Sequence, residues 1–136
     1  SMLQCLTCKS ESDQCNDTHT QQCEPDKLCF STRYKMYSSV IHMSEAGVKH
    51  ACIERDQCDH LEIAGSDVLF SANVGVAHGS VFFSCCETDN CNNFTLPEPD
   101  TRPNGLKCFT CNSTSDLLCN SVISCVGNQD QCLKIK

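Results

Sequence analysis

The chain has 136 residues, 15 of them cysteine, no tryptophan and a formal net charge of −7. Cysteine at about one residue in nine marks a disulfide scaffold in a short chain and points to an oxidising compartment. The acidic balance makes phosphate backbones and anionic lipid poor partners, so nucleic acid is not an expected ligand. No apolar run of about 18 residues is present to span a membrane.

Ser1-Met2 reads as an expression scar on a mature or trimmed chain, because cysteine-bearing sequence follows at once and no secretory leader precedes it. Cys5-Leu6-Thr7-Cys8 then opens a pattern that Cys108-Phe109-Thr110-Cys111 reopens, and Cys15, Cys23 and Cys29 are echoed by Cys119, Cys125 and Cys132. This is an internal repeat. Leu96 to Gly105 carries three of the four prolines and reads as an extended linker. The expected organisation is a complete ten-cysteine domain over 3–95, a linker over 96–105 and the N-terminal part of a second domain over 106–136. Because the second copy has only five cysteines, at least one thiol lacks an intrachain partner, and the expectation is that the natural chain continues past Lys136.

Coarse secondary structure reads as β throughout. Phe30 to Tyr37 alternates, with Phe30, Thr32, Tyr34 and Met36 on one face and Ser31, Arg33, Lys35 and Tyr37 on the other. Its return strand is predicted at Val48 to Cys52, with the tip over Ser38 to Gly47. A further hairpin runs from Val68 to Ser71 and back through Ser80 to Ser84, with 73–79 as its turn region. Phe70, Val74, Val81, Phe82 and Phe83 make both faces of that hairpin apolar, as befits a central strand or one facing another domain. The adjacent Cys85 and Cys86 point to opposite sides of a strand, so each can tie the chain to a different neighbour, and Cys91 lies close enough to Cys86 to close a small loop. The even count of ten cysteines from Cys5 to Cys91 frames one domain.

The run Cys5-x2-Cys8, Cys15, Cys23, Cys29, Cys52, Cys58, Cys85-Cys86-x4-Cys91-Asn92 is similar to the three-finger domain of the urokinase-receptor and lymphocyte-antigen family. The fold class implied is a small, disulfide-rich, all-β three-finger domain in tandem, with the second copy incomplete. The linker and restart resemble two branches, the multi-domain urokinase receptor and the secreted two-domain phospholipase inhibitors of snake serum. Ten cysteines admit about 945 pairings and spacing selects none. The resemblance implies Cys5–Cys29, Cys8–Cys15, Cys23–Cys52, Cys58–Cys85, Cys86–Cys91, Cys108–Cys132 and Cys111–Cys119, with Cys125 unpaired. It also implies that the Asn92 side chain stitches backbone strands together.

Three sequons, Asn16-Asp17-Thr18, Asn93-Phe94-Thr95 and Asn112-Ser113-Thr114, are glycosylation candidates on a secreted chain. Metal binding is not expected: the histidines, His19, His42, His50, His60 and His78, are scattered, and the Cys-x2-Cys motifs lie in a dense field of cysteines rather than forming a lone redox dithiol. No cofactor is implied. Cys85-Cys86-Glu87-Thr88-Asp89-Asn90 superficially matches the active-site helix of secreted phospholipases, but Asp89 stands where a general-base histidine is required, and no Gly-x-Ser-x-Gly elbow exists. A hydrolase is therefore the weaker reading, and the chain is expected not to be an enzyme.

Binding has more support. Arg33, Lys35 and Tyr37, with Lys49 joining from the return strand, make the central finger basic on an acidic molecule; Val40, Ile41 and Met43 put apolar groups at its tip. The alternatives are a solvated strand face and a tip packed back on Met36 or a neighbouring finger. Read functionally, these residues meet an extracellular protein ligand. The resemblance implies a secreted or cell-surface protein, attached to a membrane only through a lipid anchor outside this chain. It would act as a receptor-type binding module, as a soluble inhibitor of secreted phospholipases, or as a secreted pheromone-like signal.

Overall fold

A computed structural model describes residues 2–12, 14–61, 67–93 and 96–133. Six strands form one sheet: β1 (Gln4–Ser10), β2 (His19–Gln22), β3 (Lys27–Ser38), β4 (Met43–Glu54), β5 (Asp67–Asn73) and β6 (Ala77–Cys86), in the order β2-β1-β4-β3-β6-β5. β7 (Pro103–Thr110) and β8 (Ser121–Val126) pair separately as an antiparallel hairpin.

Both long hairpins extend further than the apolar pattern predicts. β3 and β4 reach a tip of only residues 39–42, where His42 has a φ of 52° and Ser38 Oγ accepts from the amides of Val40 (3.3 Å) and Ile41 (3.5 Å). Ser44 and Glu45 belong to β4 although they are exposed, since ladder hydrogen bonds come from the backbone and do not need apolar side chains. The third hairpin likewise narrows to 74–76. There Gly75 takes a φ of 87°, its amide donates to Asn73 Oδ1 at 2.9 Å, and Val74 N donates to Ala77 O at 2.9 Å.

The chain is not β throughout. α1 (Arg55–Leu61) follows β4 as a seven-residue helix. Asp56 lies in its first turn, where a negative charge suits the helix dipole, and the buried Cys58 ties it to Cys85 of β6. Arg55 at its start donates to Asp26 Oδ1 at 3.2 Å and to Glu87 Oε1. A helix this short is marginal alone, so the bridge and these ion pairs supply what helix propensity does not.

The chain divides into two compact units. The first comprises Ser1–Tyr34, Ala46–Leu69 and Val81–Pro97. Its sheet is covered on both faces. On one, Leu28, Phe30, Cys58, Phe83 and Cys85 cluster, with the Phe30 and Phe83 rings stacked at 5.6 Å between centroids. On the other, Val48, Phe82 and Leu96 cluster. Adjacent phenylalanines thus serve opposite faces of β6, which lies between β3 and β5. Leu96, the first residue of the proline-rich segment, is part of this core.

The second unit comprises Lys35–Glu45, Phe70–Ser80 and Glu98–Lys136. From Glu98 on, the proline-rich segment belongs to this unit: Asp100 accepts from the Arg102 amide and guanidinium, Gly127 N donates to Arg102 O at 3.0 Å, and Pro103 already belongs to β7. Thr110 Oγ1 donates to Val74 O at 2.6 Å and Gln129 Nε2 to Ser71 Oγ at 2.8 Å.

Candidate functional site

Seven bridges join Cys5–Cys29, Cys8–Cys15, Cys23–Cys52, Cys58–Cys85, Cys86–Cys91, Cys108–Cys132 and Cys111–Cys119. Cys125 is a free thiol and is buried. The Cys5 and Cys23 sulfurs lie 3.1 Å apart, and Cys108 and Cys125 repeat that approach at 3.5 Å. Cys125 therefore stands where Cys23 stands in the first copy, without the counterpart of Cys52. The sulfurs of Cys5, Cys23 and Cys52 cluster closely, but all three are consumed in bridges and offer no thiolate to a metal.

Asn92 is only 1% exposed. Its Oδ1 accepts from Leu6 N at 2.9 Å, and its Nδ2 donates to Leu6 O at 2.8 Å and Phe30 O at 3.0 Å. Beneath it, Ser31 Oγ donates to Asn92 O at 3.2 Å and lies 2.6 Å from His50 Nδ1. Burial pushes the His50 imidazole below its ordinary value of 6.5, and hydrogen bonding to the Asn92 backbone pulls partly the other way. In the sequence His50 is one of five scattered histidines; its buried place is visible only once β1 pairs Cys8 with His50.

The candidate binding surface is the tip formed by residues of the second and third loops. Lys35, Met36, Tyr37, Val40 and Ile41 are exposed, Ile41 at 66%, and Met43 is half-buried. The Tyr37 ring stacks on His78 at 5.0 Å between centroids. Ser39 ties the two loops, with its amide and hydroxyl both donating to Val76 O at 2.8 and 3.1 Å. Gly79 permits close approach of β6 to β3, since a Cβ there would lie 2.9 Å from Lys35 O.

Two basic residues assigned to this surface from the sequence have other surroundings. Arg33 is half-buried, and its guanidinium donates to Leu96 O at 3.2 Å. Lys49 does not share a face with Arg33: its Nζ lies 5.8 Å from the centroid of Phe30, on the opposite side of the sheet. Lys49 and Arg33 sit on different strands, so strand alternation alone could not decide their faces. Of the sequon asparagines, Asn16, Asn93 and Asn112 are all exposed, while Phe94 and Thr95 lie outside the described residues.

The u-PAR/Ly-6 domain model matches residues 1–94 and again 104–136. The chain belongs to the u-PAR/Ly-6 family. Its sheet, three projecting hairpins and bridge cluster are the three-finger fold of that family, and the protein is extracellular, either secreted or at the cell surface. Among its relatives, protein RoBo-1 of Rattus norvegicus is 27% identical over 126 residues, covering 89% of this chain and 48% of the relative. The urokinase plasminogen activator surface receptor of Bos taurus is 26% identical over 145 residues, covering 97% and 39%. Phospholipase A2 inhibitor NAI of Notechis ater is 27% identical over 140 residues, covering 98% and 64%. The u-PAR/Ly-6 chain thus spans about half or less of the length of the first two. The second of these relatives is named as a receptor and the third as an inhibitor.

Proposed function

We propose that this u-PAR/Ly-6 chain is an extracellular, non-enzymatic binding module of the urokinase-receptor type, whose ligand is a protein with an apolar pocket and an acidic rim. The observation that carries this reading is the exposure of Tyr37, Val40 and Ile41 together with Lys35. Grouped apolar exposure of this kind marks interaction sites on soluble proteins. Tyr37 is already ordered by His78, so it loses less rotamer freedom on docking.

Charge supports the same reading. Residues 28–53 hold Arg33, Lys35 and Lys49 against the single acid Glu45, and 68–86 contain no acid, although the chain as a whole carries −7. A locally positive region on an acidic molecule steers an acidic partner towards itself. The stretch that superficially matches a phospholipase active site is occupied structurally. Cys85 and Cys86 are bridged, Glu87 pairs with Arg55, and Asp89 Oδ1 accepts from Gln4 N at 3.0 Å.

The alignment of 98% of this chain with 64% of a phospholipase A2 inhibitor supports a second reading, in which the captured protein is a secreted phospholipase. One experiment serves both. The immobilised chain is exposed to native extracellular fluid, and also to purified secreted phospholipase A2 and urokinase-type plasminogen activator, and bound proteins are identified by mass spectrometry. Lys35→Glu and Ile41→Ser are expected to weaken capture about tenfold each, the effect of losing roughly 1.4 kcal/mol of contact. Undiminished capture by both variants would remove the tip from the interface; ester hydrolysis by the purified chain would remove the non-enzymatic reading.

A further inference from the structure

Lys9 of β1 and Lys49 of β4 are direct cross-strand partners in an antiparallel pair. Residues opposed in this way have their side chains on one face of the sheet, where like charges repel and weaken the pairing. Both lysines are exposed, and neither joins an ion pair among the described residues. Lys27, Arg55 and Arg102, by contrast, each lie against a carboxylate. On a chain with 17 acidic residues against 10 basic ones, two cations therefore stand side by side without a counter-charge.

Aromatic side chains of β3 frame the pair. Lys49 Nζ lies 5.8 Å from the centroid of the Phe30 ring, close enough for cation–π attraction to hold this ammonium over the sheet. Tyr34 shares the Phe30 face of β3 by strand alternation, and its phenol lies over Gly47, where a Cβ would be 2.6 Å from Tyr34 Oη and 2.8 Å from Ser10 O. The hydroxyl thus stands beside the residue that follows Lys9. Two ammonium groups and a phenolic O–H can all donate to one anionic group, and charge-assisted hydrogen bonds of this kind are short and strong.

We propose that Lys9, Lys49 and Tyr34 form a second binding surface, which receives one or two carboxylate side chains of another extracellular protein. The surface uses none of the tip residues, and the register of β1 against β4, within the first copy, creates it. Neighbouring acids set the class of ligand. Glu11 lies two residues beyond Lys9, Glu45 lies four residues before Lys49 on β4, and both are exposed. A long sulfated polysaccharide draws on rows of cations and would meet those acids, whereas a side-chain carboxylate reaches the lysines alone. The repulsion within the free pair is relieved when the anion arrives, so the contact that weakens the strand pairing strengthens the complex.

The test titrates the isotopically labelled full chain, bridges intact and at low ionic strength, with the blocked peptide Gly-Glu-Glu-Gly and separately with a sulfated heparin tetrasaccharide, read by nuclear magnetic resonance. The peptide is expected to shift the Lys9, Lys49 and Tyr34 resonances with millimolar affinity. Lys9→Glu, and Lys49→Met, which keeps the stem on Phe30, are each expected to weaken it about fivefold. Lys27→Met lowers the net charge as Lys49→Met does and is expected to leave the affinity within about twofold. Lys9→Glu also turns a like pair into an opposite one, so its melting temperature is expected to rise by about 2 °C, which separates lost recognition from lost folding. No peptide shift at these residues, shifts confined to Lys35 and its neighbours, or equal losses from Lys27→Met and Lys49→Met overturn the site. Binding of the tetrasaccharide here in place of the peptide overturns the carboxylate ligand.

Discussion

Asn92 and Leu6, 86 positions apart in sequence, exchange two hydrogen bonds: Leu6 N donates to Asn92 Oδ1 at 2.9 Å and Asn92 Nδ2 donates to Leu6 O at 2.8 Å. The carboxamide behaves as a further strand residue on β1, offering one donor and one acceptor in register, and its second N–H reaches β3 at Phe30 O.

Replacing Asn92 removes partners from one buried and two half-buried backbone groups at once. Each unsatisfied group costs about 1–3 kcal/mol, so Asn92→Ala is expected to destabilise the first unit by roughly 3 kcal/mol or more. Asn92→Asp should be no better, because a carboxylate keeps the acceptor and faces the carbonyls of Leu6 and Phe30 without a proton to give. Denaturant unfolding with the bridges intact measures both; a change under about 1 kcal/mol in either would contradict the account.

Stability should depend on pH through His50. Burial lowers its pKa in the fold, so the folded state favours the neutral ring. The contribution is complete above the unfolded value of about 6.5 and is lost as pH falls from there towards the folded pKa. The denaturation midpoint is expected to drop as pH falls below about 6.5, and His50→Gln to flatten that drop. Glu87, held below the ordinary carboxylate value by Arg55, acts in a lower window: its contribution is present above its unfolded pKa and fades as pH falls through the folded one.

Cys125 is 4% exposed. Native alkylation is therefore expected to label almost none of it, and alkylation after denaturation without reductant to label one thiol per chain, at Cys125. Rapid native labelling, checked by peptide mapping, would show that this thiol is not enclosed.

A Cβ at Gly47 would lie 2.6 Å from Tyr34 Oη and 2.8 Å from Ser10 O. Gly47→Ala should cost about 1–3 kcal/mol through overpacking. Tyr34→Phe in that background deletes the hydroxyl but keeps the ring carbon that would lie 2.7 Å from the new Cβ, as well as the Ser10 carbonyl, so it should recover little of the loss. A thermal melt series of the three variants decides this.

The family and its hairpins are legible in the sequence because covalent geometry dictates cysteine spacing, whereas the surface is free to vary. Other features depend on tertiary neighbours. Strand ends ran past the apolar pattern because exposed Ser44 and Glu45 pair through their backbones. α1 went unseen because its support comes from Asp26, Glu87 and Cys85, which are remote in sequence. Alternation placed Arg33 on a strand face correctly but could not reveal that Leu96 returns to meet it, nor that Lys49 faces Phe30 across the sheet. Apolar tip residues such as Ile41 were legible because a hairpin turn has little to bury them.

The place of Leu96 beneath Val48 and Phe82 sets a rule for how such copies can be cut and shuffled. A gene fragment ending at the tenth cysteine would encode every bridge of the first copy and still leave Val48 and Phe82 without the leucine that packs on them. The packing unit is longer than its sulfur frame, so grafts or fusions that respect the cysteine count alone expose apolar surface that Leu96 covers here.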